Sequence, residues 1–200
     1  MPEKLRLRFE KTGRAIYISH LDLMRTMQRV FLRADCPLKY SEGFNPHALI
    51  SILLPLSVGV GSVCELMDFQ LREDVDLAAL PERLTAVMPE GIRALEAYPA
   101  GRKVRELKWL RVTGRYEYDR ADPAEMVRKL SAFYARDAII ITRKTKRGEG
   151  QMDIVPAIAE LHIRPEDTCV TVEAVVSAQE PTLNPDHLVA AQHQGTLLQA

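Results

Sequence analysis

Leu5-Arg6-Leu7-Arg8-Phe9-Glu10, followed by Ser19-His20-Leu21-Asp22, decides how the fold is read. The first stretch alternates apolar and charged side chains, the period of a strand with one face buried, so Lys4 to Glu10 is predicted as a strand. The second has the form of a capping box, with Ser19 as N-cap and Asp22 three residues on. Leu23, Met24, Met27, Val30, Phe31 and Ala34 follow at helical spacing, which predicts an amphipathic helix over 20–34, ended by Pro37. Working outward, Leu49 to Leu54 and Val63 to Leu71 read as strands joined by a turn from Pro55 to Ser62. Val75 to Met88 reads as a helix, and Ile92 to Ala97 as a short strand. The order β-α-β-β-α-β within about 95 residues is that of a ferredoxin-like module.

The remainder begins the series again. Pro99 to Arg105 looks like a linker, and Leu107 to Tyr118 like a strand. Asp122-Pro123 starts a helix with Met126, Val127, Leu130, Phe133 and Tyr134 as its buried stripe. Ala138 to Thr142, Gln151 to Val155 and Cys169 to Val176 read as strands, and Asn184-Pro185 opens a last helix. No closing strand follows Gln192, so the second module is incomplete or the chain was cut before its end. The expected fold class is α+β, with two ferredoxin-like modules in tandem at 1–98 and 107–200 and a linker at 99–106.

The chain has 200 residues, 46% hydrophobic and 27% charged, enough apolar material for a sizeable core. Its 27 basic and 27 acidic residues cancel, but they are not mixed. Residues 1–33 carry eight basic and three acidic side chains, and 65–96 carry three and eight. Residues 102–147 carry fourteen and six, and 149–187 carry one and eight. Two outcomes are open: the basic blocks gather into an anion-binding patch, or basic and acidic blocks pair across the fold. No apolar stretch is long enough to span a bilayer, and the N-terminus lacks an export segment. The three cysteines, Cys36, Cys64 and Cys169, are widely spaced, which fits a reducing cytoplasm rather than a disulfide framework, and Cys36 and Cys64 are expected as buried small hydrophobes.

Tyr40-Ser41-Glu42-Gly43-Phe44-Asn45-Pro46-His47 is a polar, turn-rich loop that holds an aromatic. It is either a site or a structural loop in which Phe44 plugs the core and His47 caps the backbone. Together with Leu5 to Gly13, Tyr17 to Arg25 and Pro55 to Val60, this loop resembles the radical-SAM-linked protein family of bacteria. The resemblance is close over residues 4–72 and continues to about Val176, with Gly150 to Pro156 as a further matching segment. Where the family usually continues after the loop with Pro and a basic residue, Ala48 and Leu49 stand here. The resemblance implies a companion of a radical S-adenosylmethionine protein, encoded beside it or fused to it. An iron–sulfur cluster of that kind needs closely spaced thiolates, and this chain has no Cys-x-x-Cys. The cluster and S-adenosylmethionine are therefore expected on the partner, with no cofactor or metal held by this chain.

The expected role is an accessory or substrate-presenting module rather than an enzyme by itself, with RNA or a translation component as substrate. Its preferred contact surface joins Ser19, His20 and Asp22 with Glu42, Phe44, Asn45 and His47. An alternative is a stand-alone RNA-binding or metal-independent ribonuclease-like protein. There Arg6, Arg8, Arg143, Lys144, Lys146 and Arg147 would contact phosphates, and Trp109, Tyr116 and Tyr118 would stack on bases or merely pack. In that reading His20 and His47 would form an acid–base pair, provided both reach one phosphate. A third alternative is a structural scaffold. Gly59-Val60-Gly61 reads as a hairpin turn, His162, His187 and His193 show no metal spacing, and Asp153 and Glu160 read as solvated.

Overall fold

The computed structural model describes residues 4–118, 122–145 and 148–194. It divides into two units, Met1–Val104 and Arg105–Ala200.

The first unit runs β1 (Leu5–Lys11), α1 (His20–Arg33), β2 (Ile50–Leu53), β3 (Ser62–Phe69), α2 (Leu80–Thr85) and β4 (Ile92–Pro99). Its four strands form one sheet in the order β2-β3-β1-β4, every neighbour antiparallel. That is the ferredoxin-like arrangement. Alternation in β1 sends Leu7 and Phe9 into a core with Met27, Val30 and Phe31 of α1, Met67 and Phe69 of β3, and Leu80 and Leu84 of α2. Phe31 and Phe69 meet with ring centroids 5.0 Å apart. Each such side chain contributes about 1.5–3 kcal/mol by leaving water. Ser19 caps α1 as the sequence requires, its Oγ accepting the Asp22 N–H at 3.2 Å and donating to Asp22 Oδ2 at 2.7 Å. Gly91 lets the chain turn tightly into β4: its φ is +85°, and a Cβ there would collide with the Thr12 carbonyl.

The regular turns of α2 are shorter than the predicted 75–88. Pro81 is the cause. It fits the first turn of a helix, but further inside it would clash with the carbonyl four residues back. The chain before it is instead held by Asp76, whose Oδ1 accepts the Ala78 N–H at 2.9 Å.

The second unit runs β5 (Trp109–Glu117), α3 (Pro123–Tyr134), β6 (Ile140–Thr145), β7 (Gly148–Asp153), β8 (Ile158–Pro165), β9 (Cys169–Ser177) and α4 (Pro185–Gln194). Its main sheet has the order β5-β9-β8, antiparallel throughout, while β6 and β7 form a separate two-stranded hairpin. Thus 138–142 and 151–155 are not successive strands of the main sheet. The strand that is, β8, begins with a bulge between Ile158 and Glu160 and then alternates, with Leu161 and Ile163 turned to the core and Glu160, His162 and Arg164 away from it, a pattern of period two that the sequence does carry. Asp122 caps α3 by accepting the Ala124 N–H at 3.2 Å. Met126 and Leu130 pack on Val170 and Val172, while Phe133 joins Ile141, Met152 and Leu188. Tyr134 ties α3 to α4 by donating to the Leu188 carbonyl at 2.9 Å.

Two local expectations change, and one open question closes. Cys36 is buried, but Cys64 is exposed, because it shares the β3 face that turns away from the helices. Asp153 is not a solvated acid: its Oδ1 accepts the N–H groups of Ile139 and Val155, at 2.9 and 3.1 Å, and pins the base of the β6–β7 hairpin. The charge blocks pair across each unit. Arg6 and Arg8 meet Asp68 and Glu96, and Arg111 and Arg115 meet Glu160 and Glu166. No helix among the described residues is long and apolar enough to cross a membrane.

Candidate functional site

The chain between α1 and β2 is built as a small hairpin. Leu38 bridges Leu71, and Tyr40 bridges Ala48. Above that bridge Ser41 and His47 close the loop three times. Ser41 N–H donates to the His47 carbonyl at 2.9 Å, His47 N–H donates to Ser41 Oγ at 3.1 Å, and the same Oγ lies 2.9 Å from His47 Nδ1. Gly43, at φ +118°, turns the tip. Glu42, Phe44 and Asn45 all stand in solvent, and Phe44 is 112% exposed relative to its reference state. Phe44 does not plug the core, because the closure at Ser41–His47 holds the tip away from it. Beneath the loop, the Arg72 guanidinium lies 5.6 Å from the centroid of the Tyr40 ring. Beside it is an open depression of about 220 Å³ lined by Lys4, His47, Ser51, Asp68 and Gln70.

Strand register separates this loop from the start of α1. Ile50, just after the loop, stands opposite Phe69, which stands opposite Leu5; Lys11 stands opposite Ser62 at the far end. His20 borders a cleft with Lys11 and Glu65, whereas His47 borders the depression with Lys4 and Asp68. Seven residues of β1 span about 20 Å between the two places. The expected joint surface of Ser19, His20, Asp22 and the loop is therefore two surfaces, at opposite ends of the sheet. His20 and His47 do not share one phosphate, which removes the acid–base pair. Ser19 and Asp22 spend their polar atoms on the helix cap. The hydrogen bond from Ser19, and then Arg25, hold the Asp22 carboxyl below its ordinary value.

The expected anion-binding residues are also mostly committed. Arg6 is buried and binds Asp68 through Nε at 2.6 Å and Nη2 at 3.2 Å, and Lys4 joins the same carboxylate at 2.7 Å. Burial alone would raise the Asp68 carboxyl, but Arg6 and Lys4 outweigh it and hold it low. A guanidinium buried in that network does not reach a phosphate. Arg8 pairs with Glu96 at 3.3 Å in a more exposed setting. Arg143 donates to the Thr182 carbonyl at 3.4 Å. The Lys144 side chain, Lys146 and Arg147 lie outside the described residues. Of the aromatic candidates, Tyr116 and Tyr118 pack with Met126 and Leu130, while Trp109 is 48% exposed on the outer face of β5, the face that also carries Arg111 and Arg115.

One pair went unnoticed in the sequence. Lys11 and Glu65 are both buried, at 2% and 5% exposure. The signal was there: Lys11 continues the inward register of Leu5, Leu7 and Phe9, and Glu65 that of Met67 and Phe69. Burial raises the Glu65 carboxyl, against a hydrogen bond from Ser62 and the charge of Lys11.

Residues 4–185 match the family described as an uncharacterized protein conserved in bacteria, DUF2344. The chain belongs to that family. The match takes in both units, including the loop at Ser41–His47 and the cleft at Lys11 and Glu65. No curated protein matches the chain.

Proposed function

We propose that this chain is an accessory module that docks on a partner protein through the loop Ser41–His47. The observation that supports this reading is Phe44, a whole aromatic ring held in water at the tip of a loop closed by its own hydrogen bonds. Such a ring is costly to leave exposed and is a typical anchor at a protein interface. The resemblance to the radical-SAM-linked family supplies the partner: a radical S-adenosylmethionine protein that brings its own iron–sulfur cluster and cofactor. This chain contributes shape and an anchoring side chain, and the reaction belongs to the partner.

The test is binding between this chain and the radical-SAM protein encoded beside it, both purified. Phe44→Ala is expected to weaken the complex by about thirtyfold, about 2 kcal/mol, as for an aromatic anchor. The circular dichroism spectrum is expected to stay unchanged. Equal affinity for both forms overturns the reading.

Trp109 favours a second reading, in which the substrate presented is RNA. It is half-exposed on a sheet face with Arg111, Arg115 and Arg164, so a base can stack on the indole while phosphates compete with Glu160, Glu166 and Glu173 for those exposed arginines. Retention of RNA that falls steeply with salt, and falls again in Trp109→Ala, is the expected result. Retention that ignores both removes this reading.

A further inference from the structure

An edge strand offers a row of backbone N–H and C=O groups to any second strand, and folds blunt such edges with shortness, proline or a bulge. The edges of the two main sheets are β2, β4, β5 and β8. β2 has only four residues. β4 ends in Pro99, and its register with β1 shifts between Arg8 and Phe9. β8 ends in Pro165 and carries the bulge between Ile158 and Glu160. β5 has none of these devices. It runs for nine residues without proline and pairs with β9 from Trp109 to Glu117 with no shift of register. Among the described residues no strand lies on its other side, the side on which the first unit sets β4 beside β1.

The side chains of that edge fit a second copy of the same strand. Antiparallel pairing about a twofold axis at Gly114 sets Arg111 opposite the second copy's Glu117, and Glu117 opposite its Arg111, both on the exposed face. Glu117 makes no salt bridge within the described residues, and the Arg111–Glu160 pair, 3.4 Å long and exposed on both sides, leaves the guanidinium open to a second carboxylate. On the other face Val112 meets Tyr116 on either side of the two central glycines. A Cβ built on Gly114 touches nothing within 4 Å, so the Tyr116 rings have room to lean across. The neighbouring symmetric registers fail. Centred on Thr113, the pairing sets Arg111 opposite Arg115; centred on Arg115, it sets that arginine opposite itself. Like charges directly opposite one another are destabilising.

We infer that two copies of this chain pair through β5, edge to edge and antiparallel about Gly114, and so join their three-stranded sheets into one continuous sheet. The occupant of the edge is a second copy, rather than another protein's strand, because the charges of β5 match its own sequence read backwards. The pairing uses the backbone edge and leaves the face that carries Trp109 open.

The test is sedimentation velocity of the full chain over a concentration series, with reductant present because Cys64 is exposed. A monomer–dimer equilibrium with a dissociation constant on the order of 10–100 μM is expected for so small an interface. Glu117→Arg and Arg111→Glu each set like charges opposite one another at both ends, and each is expected to weaken dimerisation by about tenfold or more. Mixed in equal amounts, the two variants again oppose unlike charges at both ends, and the dimer is expected to return. Circular dichroism of both variants is expected to match the parent, since both side chains are exposed. The inference is overturned if the parent stays monomeric throughout that range, which would leave the edge to another protein's strand. It is equally overturned if either variant dimerises like the parent, or if the mixture fails to restore the dimer.

Discussion

The two units solve one topology in two ways. In the first, β2-β3-β1-β4 closes a four-stranded sheet. In the second, β8, β9 and β5 occupy the places of β2, β3 and β1, and no described strand takes the place of β4. Both make an excursion at the same point, between the first helix and the second strand. The first unit raises the loop tipped by Phe44, and the second raises the β6–β7 hairpin, whose turn follows Arg143 and Lys144. The scaffold is repeated, and the excursion is where the halves differ, a hydrogen-bonded loop with an aromatic tip in one and a two-stranded hairpin in the other. The units differ electrostatically too. The first buries some of its charges, Arg6 with Asp68 and also Lys11 and Glu65, whereas among the described residues the ion pairs of the second all stand partly in water.

Substitutions can break that contrast. The largest effect is expected from Asp68→Asn, which leaves Arg6 buried without its counter-charge and should cost about 3–5 kcal/mol in urea denaturation followed by circular dichroism. Acid sharpens the same point. Asp68 is held below its ordinary value in the fold, so its contribution is present above the usual carboxylate range and is lost as pH falls through the lowered value. The parent should therefore lose stability toward strong acid more steeply than Asp68→Asn. Leu130→Ala in the second core should cost about 2–5 kcal/mol. Trp109, the single tryptophan, should report that loss by fluorescence. Ser19→Ala, which removes the α1 cap, should cost about 1 kcal/mol in urea denaturation. The smallest effect is expected from Glu160→Gln, at most about 1 kcal/mol, because Arg111 and Glu160 are both exposed. A large loss there would show that the second unit also depends on its charges.

The first unit was legible because its signals are local. The alternation of Leu5 to Glu10 and the Ser19–Asp22 cap each lie within a few residues. The second was less so: β8 could have been read from the alternation of Glu160 to Arg164, but nothing local tells that β6 pairs with β7 outside the main sheet. The site was read in its parts but not in its placing. Glu42 to His47 does form an exposed loop, but its distance from His20 follows from register, a long-range property. Lys11 and Glu65 could have been found, because a charge in phase with Leu7, Phe9, Met67 and Phe69 is out of place unless something inside needs it.

The clasp between Ser41 and His47 has an evolutionary consequence. It secures the loop from its base, using one hydroxyl and one imidazole, and asks nothing of residues 42, 44 and 45. Those positions are free to drift without disturbing the sheet below. Relatives that keep the clasp can exchange the tip and so change companions while the scaffold stays as it is.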